Sequence, residues 1–77
     1  MASSHTMWAE YVDPGEPGAV KWWHMVREGD GNVAMCGKEM GDGVERRSDR
    51  EWGNTAEPSC HTCGAMYLRE VPYRAAA

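Results

Sequence analysis

At 77 residues the chain makes one small domain, and it has little to build a core from: no Phe, no Ile, a single Leu, nine Gly and four Pro. A formal charge of −4 and a pI near 5.2 argue against a generic duplex-DNA binder, which needs a basic face. No apolar run approaches the ~18 residues of a membrane span, and the start of the chain lacks the charged-then-apolar profile of a secretory leader, so a cytoplasmic, thiol-reducing setting is the expectation.

In chain order, residues 1–18 read as a flexible N-terminal arm. Met1 to Thr6 is small and polar, and Asp13-Pro14-Gly15-Glu16-Pro17-Gly18 is built of turn formers. Between them, Trp8 and Tyr11 could dock onto the domain. Ala19 to Glu28 is the best strand, with Val20, Trp22, His24 and Val26 on one face and Lys21, Trp23, Met25 and Arg27 on the other. Gly29-Asp30-Gly31 signals a turn, and Asn32 to Cys36 is expected to return as a second strand. A hairpin centred on Asp30 sets Val26 opposite Ala34 and His24 opposite Cys36, with paired Cβ atoms about 4.5–5.5 Å apart. Gly37 permits a positive φ and is expected to let backbone amides aim at the Cys36 sulfur. Gly41-Asp42-Gly43 is a further turn, Val44 to Arg47 a short strand, and Ser48 to Pro58 a polar loop carrying Trp52. Cys60-His61-Thr62-Cys63-Gly64 forms a second knuckle. Ala65 to Val71 fits either a strand or one to two helical turns, and Pro72 ends it.

The chemistry lies in the pattern H-x11-C-G-x22-C-x-x-C-G, formed by His24, Cys36, Cys60 and Cys63, which uses all three cysteines. An odd number of cysteines cannot all pair within one chain. Three thiolates and an imidazole are the complement of a closed tetrahedral zinc site. The two-residue gap of Cys60-x-x-Cys63 lets both sulfurs reach one ion; its rival, a redox dithiol, opens a helix in a βαβ domain larger than this chain. Cys36 has an alternative as a buried free thiol and His24 as a packed core imidazole. His61 competes with His24 for the fourth place, although residues inside such a knuckle project away from the ion, and His5 is the third choice. A structural zinc site adds roughly 10–16 kcal/mol of apparent binding free energy, which an under-hydrophobic chain needs as a staple.

Function is less constrained. The stripe Lys21, Trp23, Met25 and Arg27 mixes aromatic and basic groups as single-strand nucleic-acid platforms do, but the acidic overall charge favours Trp23 packing under the N-terminal arm or against another subunit. Glu45 to Glu51 mixes charge signs as a solvated loop does, although its Arg46, Arg47 and Arg50 could contact phosphates. The deaminase signature fails, because Met25-Val26 follow His24 and Ser59 separates Pro58 from Cys60. G-x-G-x-x-G, Walker and H-E-x-x-H motifs are absent, so no enzyme is expected. The expectation is a non-enzymatic Zn2+-binding module acting as a protein-interaction adaptor. The alternatives are a nucleic-acid-binding finger using Lys21, Trp23, Arg27 and the arginine loop, and an iron–sulfur or redox-sensing protein.

His24, Cys36-Gly37 and Cys60-His61-Thr62-Cys63, flanked by Trp22-Trp23 and Asn32-Val33-Ala34-Met35, resemble the pattern of small zinc-finger proteins from actinobacteria and their phages. The resemblance spans roughly residues 20–68. It departs where that family often has Pro after the third ligand, here His61 after Cys60, and a Leu-rich segment after the last Cys, here Gly64-Ala65-Met66. The resemblance implies a zinc-ribbon-like or treble-clef-like fold, mostly without assigned activity. The expected architecture is a small β-rich, metal-stapled domain of antiparallel hairpins with room for a short C-terminal helix. The arm would cover residues 1–18, the zinc-binding domain 19–73 and a tail 74–77.

Overall fold

The bulky run Val20–Arg27 forms strand β2, and it pairs antiparallel with β1, His5–Tyr11. A computed structural model describes residues 5–13, 15–16, 18–41 and 43–71. In it β1 is the centre of a three-stranded antiparallel sheet of order β2-β1-β3, with β3 at Arg46–Ser48. Much of the arm expected over residues 1–18 is therefore the central strand. Met7, Trp8 and Ala9 are all buried, so β1 is covered on both faces and lacks the polar/apolar alternation that marks a half-exposed strand. Residues 1–4 and 72–77, including the expected tail, lie outside the described ones.

Register distributes the side chains. Met7 pairs with Met25, Trp8 with His24 and Ala9 with Trp23. One face thus carries His5, Met7, Ala9, Trp23, Met25 and Arg27; the other carries Trp8, Glu10, Trp22, His24 and Val26. The first face is roofed by α1, His61–Glu70, which buries Cys63 and Tyr67 four residues apart. Tyr67 meets the His5 ring edge-on at 5.1 Å, and Glu70 bonds both His5 Nε2 (2.9 Å) and Arg27 Nε (2.8 Å). The segment Ala65 to Val71 is helical to Glu70, and the helix starts earlier than expected, with Cys60 as its N-cap. Trp23 and Met25 are fully buried and Arg27 is paired with Glu70, so the stripe Lys21, Trp23, Met25 and Arg27 makes no exposed platform, and Trp23 packs beside Ala9 of the segment read as an arm. Both faces of β2 are covered, and its alternation separated two interiors rather than inside from outside.

Asn32 to Cys36 returns without making a strand. It keeps the register centred on Asp30 through one bond, Met35 N–H to the Met25 carbonyl (2.8 Å), and otherwise shows only an isolated Val33–Glu39 bridge. A longer ladder is blocked because the next outward-facing group of β2, at Trp23, is taken by Pro58 and Cys60. Ala34 and Met35 from this segment, with Met40 beyond it, join the core. Between β3 and α1, a 3-10 turn at Asp49–Glu51 buries Asp49, whose Oδ2 accepts the Tyr67 hydroxyl at 2.8 Å. All four tryptophans are described, and none is exposed.

Candidate metal centre

Backbone groups of successive strand residues point to opposite edges, and β2 uses this to gather two distant loops beside His24. On its outer edge, Trp23 N–H donates to the Pro58 carbonyl (2.9 Å) and the Trp23 carbonyl accepts from Cys60 N–H (2.8 Å), a parallel bridge centred on Ser59. Two residues on, Met25 holds Met35. Cys60 and Cys36 are thereby fixed on either side of the His24 imidazole, and Cys63 follows one helical turn beyond Cys60.

The ligand-type atoms of His24, Cys36, Cys60 and Cys63 all lie within 4.8 Å of one another. His24 Nδ1 is 3.5 Å from Cys36 Sγ and 3.6 Å from Cys63 Sγ. With zinc–sulfur bonds near 2.3 Å and zinc–nitrogen bonds near 2.05 Å, ligands at the tetrahedral angle sit about 3.6 Å apart. Hydrogen bonding alone accounts for this poorly, because Nδ1 has one in-plane lone pair and two sulfurs stand equally close. All three cysteines are free thiols. The cluster can hold a metal ion.

Burial pushes the Cys63 thiol up to about 12, whereas a thiol coordinated to a metal is deprotonated outright. As N-cap of α1, the Cys60 sulfur accepts the Cys63 N–H at 3.5 Å. Gly37 does supply a positive φ, +94°, but its N–H bonds the Ala34 carbonyl (2.8 Å) rather than a sulfur.

His61 is exposed on the first turn of α1 and is not part of the cluster. His5 is occupied with Glu70 and Tyr67 on the opposite sheet face. One participant was missed from sequence: Glu10 Oε1 lies 2.7 Å from His24 Nε2, with Lys38 Nζ 4.0 Å from the same oxygen. Glu10 pairs with Trp22 and so stands diagonal to His24 across the β1–β2 ladder. Only that register reveals it, and the arm reading hid the register. A cavity of about 250 Å³, lined by Glu10, Trp22, His24, Cys60, His61 and Thr62, opens beside the cluster.

No family model matches the chain, and neither does any curated protein or solved structure. Among the described residues no helix is long and apolar enough to cross a membrane.

Proposed function

We propose that the protein is a non-enzymatic zinc-binding module, in which Zn2+ held by His24, Cys36, Cys60 and Cys63 staples both knuckles and α1 to the edge of β2. The observation that carries this reading is the placement of His24 Nδ1 at tetrahedral ligand spacing from two sulfurs, 3.5 and 3.6 Å. Cys3His is a structural composition, and four protein ligands leave no position for water or substrate. A multi-iron cluster holds its ligands farther apart than ligands sharing one ion, so the 4.8 Å limit on this group favours a single metal. Of the two shapes implied by the resemblance to actinobacterial and phage zinc fingers, a ligand pair at the start of a helix suits a treble-clef-like one.

The biological role we assign is that of a cytoplasmic protein-interaction adaptor. Two of the basic groups a nucleic-acid face would use are engaged internally: Arg27 by Glu70 and Asp30, Arg47 by Glu45 and Glu51. Nucleic-acid binding would show as a steep loss of affinity with salt.

Metal analysis of the purified protein tests the central claim. One zinc per chain is expected, lost in Cys60→Ser and His24→Ala and kept in His61→Ala. A folded wild type that retains no metal after dialysis against zinc would overturn the proposal, and a brown solution with visible absorbance would replace zinc with iron.

A further inference from the structure

His24 offers its two nitrogens to two different environments. Nδ1 faces the sulfurs of Cys36 and Cys63, while Nε2 meets a Glu10 carboxylate oxygen at 2.7 Å. The imidazole is buried, and the Glu10 side chain is 21 % exposed. A carboxylate can only accept, so Nε2 carries the proton and the Nδ1 lone pair is left bare toward the cluster. We infer that Glu10 is a positioning residue that fixes His24 as an Nδ1 ligand, an inference that rests on the metal reading above.

The need for it follows from ring geometry. Turning the imidazole by half a revolution about its Cβ–Cγ bond exchanges Nδ1 with a C–H and removes the ligand from the site. The same turn places a C–H against Glu10, so the carboxylate opposes it. The contact works across strands: Glu10 lies on β1, His24 on β2, and Lys38, two residues after Cys36, approaches the same carboxylate oxygen at 4.0 Å. Lys38 is about half exposed, and an ion pair of that kind contributes little. The hydrogen bond to Nε2 is therefore the working part.

Zinc-loaded, 15N-labelled wild type, Glu10→Ala and Glu10→Gln provide the test, with zinc affinity read by competition against a chromophoric chelator and the His24 nitrogens read by NMR. The wild type should show metal-bound Nδ1 and protonated Nε2. Glu10→Ala should bind zinc about 10–100-fold more weakly. Glu10→Gln keeps an acceptor oxygen of the same reach and should restore the Nδ1-bound signature and most of the affinity. Tight zinc binding through Nε2 in the wild type, or Glu10→Ala binding as tightly as wild type, overturns the inference and leaves the metal site standing. A wild type that binds no zinc removes both. The wild-type spectrum decides even if Glu10→Ala does not fold.

Discussion

Tyr67 joins three parts of the molecule with one side chain. Its ring is 1 % exposed between His5 of β1 and Trp52, and its hydroxyl donates to the buried carboxylate of Asp49. Removing only the oxygen takes a hydrogen bond from a charge that water reaches poorly. Tyr67→Phe should therefore cost about 1–3 kcal/mol in denaturant unfolding of the metal-loaded protein; an unchanged midpoint would mean that other partners of Asp49 suffice. The candidate metal residues were legible at this scale because zinc accepts few residue types at few spacings. Asp49, Tyr67 and Glu10 were not, because their roles depend on which distant strand or helix arrives opposite them.

At the scale of elements, β2 was legible from its bulky alternation and from the turn at Gly29 and Gly31, both of which have positive φ. The outer partner of β2 was misread because two loops divide that edge, so neither makes a ladder. α1 was ambiguous because Gly64, a poor helix former, sits in its first turns, and its capping residue is a cysteine rather than Ser, Thr, Asp or Asn. Gly64 has ordinary helical freedom to change. A Cβ there would meet Trp52 at 3.5 Å, a normal packing distance. Gly64→Ala should raise the stability of the zinc-loaded protein by about 0.5–1 kcal/mol, read as a higher unfolding midpoint; a fall would show that Trp52 cannot give way.

The far end of α1 makes a pH-dependent attachment. The Arg27 guanidinium, and then His5, hold the Glu70 carboxyl at about 2, below its ordinary 4.5. A carboxyl with a lowered folded-state value stabilises the fold above its unfolded value, and that contribution fades as pH falls from about 4.5 toward 2. Glu70 is a third exposed, so solvent screening keeps the effect modest. Any effect of acid on the candidate metal site is common to wild type and Glu70→Gln. The stability difference between the two isolates Glu70: wild type should be the more stable near neutral pH, with the gap narrowing below about 4.5. A gap that is constant down to the lowest pH at which both chains fold would contradict the attachment.

For the molecule as a whole, the apolar interior is a few methionines, two tryptophans, a tyrosine and small residues around β1 and β2, in a chain short enough that such a core supplies only ~3–5 kcal/mol. The sheet is narrow, since β3 is three residues long. The remaining segments meet at the outer edge of β2: the Asn32 to Cys36 return, the segment entering Cys60, and the start of α1. An ion bound by His24, Cys36, Cys60 and Cys63 would close three loops at once, and closing each costs conformational entropy that so small a core offsets poorly without the ion. Chelation should therefore do more than free the helix. Because β1 and β2 bury one face against α1, losing α1 exposes Met7, Trp23 and Met25 together. Hydrogen exchange reads this directly: amides of His5–Tyr11 and Val20–Arg27 should be the slowest in the zinc-loaded protein and lose protection together in excess chelator, with tryptophan emission shifting to the red. Sheet amides that stay protected after the metal has left would show a sheet stable without its staple, and would confine the ion's contribution to docking α1 and the two knuckles.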